Sequence, residues 1–267
     1  MASLFRYNGS KVRIAPTIVS MFPHHRRYVE VFGGTGAVLL QKQPMHEEIY
    51  NDINGHVVNV FRVLQNPEQR KRLIELVEFT PYARAEFERA VVHKDDLEKM
   101  DPVNRAHMFL ILSIMAFSGM SGVLRDLKAT NFSAKPKSVA HSNWLKLPVT
   151  ISKVAKRFKD VLIEQCVCFD LIDRWDSPET LFYADPPYMT FGDRLYDHSM
   201  TFAQHWKLLA RLNTVKGMVV LSGYNSILYS QRLKSWQRTD IPEKNSRSQP
   251  RTECIWVNRN TIKRQFL

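Results

Sequence analysis

The stretch "LFYADPPYMTFGD" (residues 181–193) sets an aspartate, two prolines and a tyrosine directly behind an apolar run. Leu181, Phe182 and Tyr183 suit a strand, but Pro186 and Pro187 lack the N–H that a ladder requires, so the strand stops there. Asp185 then stands at the strand's carboxyl end, the edge of an open α/β sheet where ligands bind. A carboxylate at that edge is placed to meet a bound ligand. A rigid turn in which Asp185 caps and Tyr188 packs would use the same residues.

Two further constellations point to a bound small molecule. "EVFGGTGAVLL" (30–40) reads as a strand, a glycine-rich turn and a helix start, with Gly33, Gly34 and Gly36 letting the backbone bend sharply and approach a ligand. It is neither G-x-G-x-x-G nor a P-loop, and a tight turn without a ligand needs the same glycines. Beyond Gly36 comes "NDIN" (51–54), where Asp52 closes a second strand at the position from which a carboxylate holds ribose hydroxyls. Helix capping by Asp52 or Asn54 is compatible with that role.

The elements that must position these residues follow from periodicity. Strand-length apolar runs fall at 28–32, 48–54, 161–169, 180–184, 217–224 and 252–258. Helical faces lie between them, Val57, Val60, Phe61 and Leu64 on one and Phe202, Trp206, Leu209 and Leu212 on another. The alternation predicts an α/β, doubly wound, mostly parallel sheet, with 236–258 forming a C-terminal antiparallel hairpin. Residues 62–160 break the rhythm. They are charged and helix-prone, with a buried helix at 108–117 and a polar, basic loop at 118–138, and read as a small inserted subdomain. The expected division is therefore 1–61 with 161–267 as one unit and 62–160 as the insertion.

Bulk composition narrows the partners. The 267 residues hold 38 Lys and Arg against 26 Asp and Glu, with the excess concentrated at 101–160 (net +7) and 231–267 (net +6), as a polyanion-binding surface requires. The three cysteines, Cys166, Cys168 and Cys254, lie in apolar segments and read as reduced core thiols. The nine histidines show no H-x-x-x-H pattern, and no metal is assigned. No apolar run reaches the roughly 18–20 residues of a membrane span and no signal peptide is evident, so the expectation is a cytoplasmic protein, acting as a monomer or weak dimer and drawn to the nucleoid by its basic stretches.

Taken in order, "FRYNGSK" (5–11), "EVFGGTGAVLL", "NDIN", "DPPY" (185–188), "LSGY" (221–224) and "RTECIWVN" (251–258) resemble the motif series of the Dam-like adenine-N6 DNA methyltransferases. The resemblance runs from residue 5 to 258 and is weak across the middle, where that family places its target-recognition subdomain. It implies a Rossmann-like fold and S-adenosylmethionine as cofactor, bound by Gly33, Gly34 and Gly36 with Tyr7, Phe32 and Asp185 alongside, Glu30 near the methionine part and Asp52 on the ribose. Lys11 matches a position that reaches into the active site and cofactor pocket; a surface lysine is the alternative. Two departures stand out. Val31 replaces the proline usual in the glycine segment, and Val167 falls where relatives carry an aspartate that accepts from the adenine amino group, unless Asp170 substitutes from a shifted register. One missing hydrogen bond of about 0.5–1.5 kcal/mol lowers affinity several-fold.

Under this resemblance the catalytic set is Asp185, Pro186 and Tyr188. The exocyclic amine of adenine is a poor nucleophile because its lone pair is delocalised into the ring. Acceptance of its hydrogens by the Asp185 carboxylate and the Pro186 carbonyl favours a more tetrahedral nitrogen, an instance of preorganised electrostatics. Stacking on Tyr188 offsets the cost of extruding the base from double-stranded DNA. Arg125, Lys128, Asn131, Lys135 and Lys137 are the candidate DNA contacts, with Arg247 and Arg251 in the hairpin. RNA adenine methylation and a catalytically silent DNA-binding protein with the same fold are the competing functions.

Overall fold

The computed structural model describes residues 3–7, 9–117, 131–188, 199–244 and 250–265. A seven-stranded sheet runs through it, built from β1 (Arg27–Glu30), β2 (Glu47–Asn51), β3 (Leu162–Glu164), β4 (Thr180–Ala184), β5 (Met218–Gly223), β6 (Gln237–Lys244) and β7 (Pro250–Val257). Their order is β3-β2-β1-β4-β5-β7-β6. The first five strands are parallel, and β7 runs antiparallel between β5 and β6. This is the mixed, mostly parallel sheet that the alternation of strands and helices predicts. From β1 the chain moves outward to β2 on one side and later returns to β4 on the other, so the sheet's switch point lies between β1 and β4.

Side-chain alternation along the central strands divides the core into two layers. Tyr28, Tyr50, Leu181, Tyr183, Val220 and Ile255 face one way. Val29, Ile49, Phe182, Ala184, Val219 and Trp256 face the other. The first layer packs on α1 (Ala15–Ser20), α2 (Gly55–Gln65), α5 (Pro102–Met115) and α7 (Leu147–Phe158), and the second on α8 (Cys168–Trp175), α9 (Phe202–Leu212) and α10 (Ile227–Arg232). Helix α11 (Arg259–Gln265) follows β7. Between α2 and α7 lie α3 (Pro67–Phe79), α4 (Arg84–Val92), a 3-10 turn (Lys94–Lys99) and α6 (Val139–Leu145), whose buried Leu73, Phe87, Leu97 and Trp144 join the first layer without a break. Among the described residues no helix is long and apolar enough to cross a membrane.

The structure departs from three expectations. The apolar run at 161–169 is strand only over Leu162–Glu164, and Cys168 already lies in α8. The buried face of α9 is His205, Leu208, Leu209 and Leu212, while Phe202 and Trp206 are largely exposed. The glycine turn is followed by irregular turns rather than a regular helix. A physical reason is at hand: the Leu39 N–H donates to the Glu30 carboxylate at 2.9 Å, not to a carbonyl one turn back. The three cysteines are free thiols, Cys168 and Cys254 buried and Cys166 half-buried.

Candidate active site

The carboxyl ends of β1 and β4 open onto a cleft lined by Tyr7, Lys11, Glu30, Phe32, Gly33, Gly34, Asp52, Asp185 and Pro186, among others. A second cavity adjoins it, sharing Phe32, Ile53 and Pro187 and reaching Cys166, Val167 and Phe169. Residues assigned from three separate segments thus meet at the sheet's switch point, as the strand-end argument requires.

The floor is a backbone bend that tolerates no other shape. A Cβ on Gly33 would lie 2.1 Å from the Tyr50 ring, and Gly34 adopts φ +50°. The Tyr50 hydroxyl donates to the Gly34 carbonyl at 2.5 Å, and the Gly34 N–H donates to Asp52 Oδ2 at 2.7 Å. Asp52 Oδ1 accepts from the Asn54 N–H at 2.8 Å. It is Asn54 that caps α2, so Asp52 braces the turn and lines the cleft instead. Gly36, at φ +64°, faces the core: a Cβ there would come within 3.1 Å of Phe158.

Glu30 ends β1 and is buried. Its Oε2 accepts from the Tyr28 hydroxyl at 2.8 Å and from Leu39. Burial dominates and pushes its carboxyl up to about 8; the Asp185 carboxylate adds to the rise, and the Tyr28 and Leu39 hydrogen bonds and Lys42 oppose it. Burial thereby favours the proton-bearing form of an acidic group that lines the cleft.

Lys11 is no surface residue, being 6% exposed. The segment that delivers it bends at Gly9, φ +77°, and is tied to the glycine turn by the Ser10–Thr35 hydroxyl contact of 2.9 Å. Lys11 Nζ donates to the Gly9 carbonyl at 2.7 Å and pairs with Asp185 Oδ2 at 2.9 Å. It also stands 4.8 Å over the Tyr188 ring and 3.6 Å from Glu253 Oε1. The Tyr188 hydroxyl contacts Asp185 Oδ1 at 3.0 Å and Glu253 Oε1 more closely still. Burial first, then the two carboxylates, push that phenol well above its ordinary range. Tyr188 is therefore a buried, hydrogen-bonded ring whose face carries a cation. Its edge meets Tyr224 at 4.2 Å, and Arg251 stacks on Tyr224 at 3.9 Å.

Sequence reasoning missed Glu253. Because β7 is antiparallel, its amino end and not its carboxyl end falls beside Gly223 at the close of β5, with Cys254 paired to Gly223. A strand-end rule built on parallel strands passes over an acid in the amino-terminal half of an antiparallel strand. Val167 lies on the rim of the second cavity and is 47% exposed, while Asp170 is exposed in the first turn of α8 and does not line that cavity.

Of the candidate DNA contacts, Asn131, Lys135 and Lys137 are exposed on the connector before α6, whereas Arg125, Lys128 and Arg247 lie outside the described residues. That connector joins the fold through the Ala116–Phe132 bridge, and Arg6 donates to the Ala116 carbonyl at 3.2 Å. Arg6 and Ser113 also exchange two hydrogen bonds of 2.9 Å, fastening the segment that carries Lys11 to α5.

Residues 7–247 match the family described as D12 class N6 adenine-specific DNA methyltransferase. The chain is similar to a protein of Methanocaldococcus jannaschii named Type II methyltransferase M.MjaIII, 28% identical over 210 residues that make up 68% of each chain. It is also similar to a protein of Escherichia phage P1 named DNA N-6-adenine-methyltransferase, 30% identical over 121 residues, 45% of this chain and 16% of the phage protein. With the cleft's carboxylate, its glycine floor and the family match in agreement, this chain belongs to the D12 class of N6 adenine-specific DNA methyltransferases.

Proposed function

We propose that the protein transfers a methyl group from S-adenosylmethionine to the N6 amine of an adenine extruded from duplex DNA. One observation carries this reading: Asp185 and the glycine turn, far apart in sequence, line the same cleft. The residues fit the cofactor. Gly33 and Gly34 leave room for close approach, Glu30 presents a carboxyl oxygen toward an amino group, Asp52 lines the cleft with a carboxylate of the kind that meets hydroxyls, and Phe32 and Ile53 wall the neighbouring cavity with apolar surface suited to a base. S-adenosylmethionine supplies a sulfonium methyl group there.

The chain's own residues prepare the amine. The Asp185 carboxylate and Pro186 carbonyl accept its two hydrogens, which draws the nitrogen toward a tetrahedral shape and localises its lone pair. Proline at 186 and 187 keeps the carbonyl from turning away. The amine sheds a proton once it has been methylated, so no separate base is needed. Tyr188 offers a face to the base after its cation moves aside. Residues 62–160, with exposed Asn131, Lys135 and Lys137 on the α5–α6 connector, are proposed to engage the DNA.

Incubation with methyl-labelled S-adenosylmethionine and either duplex DNA or RNA tests this. Label is expected on DNA adenine N6, and Asp185→Ala is expected to lower the rate at least about 10³-fold with DNA affinity within a few-fold. Label confined to RNA, or an active Asp185→Ala variant, would contradict the assignment.

A further inference from the structure

The Lys11 ammonium stands where the target amine has to go. Its Nζ is 2.9 Å from Asp185 Oδ2 and 4.8 Å over the Tyr188 ring, so it takes both the acceptor and the aromatic face that the proposed reaction reserves for adenine. The arriving amine is neutral, and its hydrogen bonds to a carboxylate are weaker than those of an ammonium. It cannot evict the cation into a buried site without a second anion, because an uncompensated charge there is costly.

Glu253 is that second anion. It is 5% exposed, its Oε1 lies 3.6 Å from the same Nζ, and it shares the Tyr188 hydroxyl with Asp185. We propose that Glu253 is a positioning residue that takes over the Lys11 ammonium as the adenine amine enters, freeing Asp185 Oδ2 for the substrate. The site holds one cation and two anions before and after; only the pairing changes. A phenol has one proton to donate, so once Glu253 holds the ammonium the Tyr188 hydroxyl turns to Asp185 Oδ1 and orients that carboxylate toward the amine. The Gly9 carbonyl, 2.7 Å from Nζ, remains a fixed third partner on which the ammonium pivots.

This inference rests on the methyl-transfer reading, which the unmodified protein's own single-turnover rate with S-adenosylmethionine and duplex DNA tests separately. Three variants test the exchange: Glu253→Gln keeps an acceptor for Tyr188 without charge, Glu253→Asp keeps the charge, and Glu253→Gln with Lys11→Met removes the cation that needs a new partner. Glu253→Gln should slow the single-turnover rate at least about 30-fold while cofactor and DNA affinities stay within about three-fold. Glu253→Asp should be faster than Glu253→Gln, and the double variant faster than Glu253→Gln alone. 2-Aminopurine at the target position lacks the 6-amino group, so its fluorescence on extrusion should match in the unmodified protein and Glu253→Gln. A Glu253→Gln rate within about three-fold of the unmodified protein, a double variant no faster than Glu253→Gln, or a 2-aminopurine signal lost along with the rate would each overturn the exchange.

Discussion

Replacing Glu30 with glutamine isolates the one buried acid of the cleft floor. In the folded protein its carboxyl sits at about 8 instead of 4.5, chiefly because burial removes it from water. Between those two values the folded state keeps a proton that the unfolded chain releases, so stability falls as pH rises through the window and levels off above about pH 8. At about 1.4 kcal/mol per pH unit, the loss amounts to roughly 5 kcal/mol in full, of which about 3 kcal/mol has accrued by pH 7. Glutamine's amide oxygen can accept from the Tyr28 hydroxyl and the Leu39 N–H as Oε2 does, and it has no proton to lose. The unfolding free energy of Glu30→Gln minus that of the unmodified protein should therefore climb by about 1.4 kcal/mol per pH unit from pH 5 to 8. Urea unfolding of both proteins at pH 5.5, 7 and 8.5 measures this, since titrating groups not coupled to Glu30 cancel in the difference. A difference independent of pH, or one that shrinks as pH rises, would refute a neutral carboxyl at this position.

Other substitutions probe the scaffold. Gly33→Ala forces a methyl group into the Tyr50 ring, which Phe61 and Phe158 hold at 4.7 and 5.5 Å, and should cost about 3 kcal/mol in denaturant unfolding; a loss under 1 kcal/mol would mean that the ring can move. Glu48 binds Lys42 at 2.6 Å and Arg157 at 2.5 Å, with Lys42 and Glu48 buried and Arg157 partly so, and Glu48→Ala takes the carboxylate from both cations and should cost about 3–5 kcal/mol by the same assay. Val167, the uncapped N-cap of α8, lies on the rim of the second cavity, so Val167→Asp should raise stability by about 1 kcal/mol and tighten S-adenosylmethionine binding several-fold in calorimetry.

Sequence patterns carry information where chemistry and local geometry coincide. The prolines after Ala184 mark the end of β4 by themselves, and the glycines after Phe32 mark the bend, so Asp185 and Gly33 could be placed at the rim without coordinates. Long-range pairing leaves no such trace. Nothing in "RTECIWVN" tells that β7 reverses beside β5 and sets Glu253 against Lys11. Nor does the apolar pattern of α9 reveal that His205, not Trp206, turns inward, because Leu209 and Leu212 complete a helical stripe with either residue and Trp206 is the more apolar of the two. The glycine turn also misled by local reading alone: a helix seemed due after Gly36, but a carboxylate from the preceding strand captured Leu39.

The reversed last strand also sets the timing of maturation. Lys11 is made early and Glu253 late, so during synthesis every part of the cofactor cleft's floor can assemble while the cation still lacks its second anion. Only when the hairpin zips onto β5 does the pocket acquire its full complement of charges. On the exchange proposed above, a nascent polypeptide whose last strand has not yet docked lacks the anion that takes up the Lys11 ammonium.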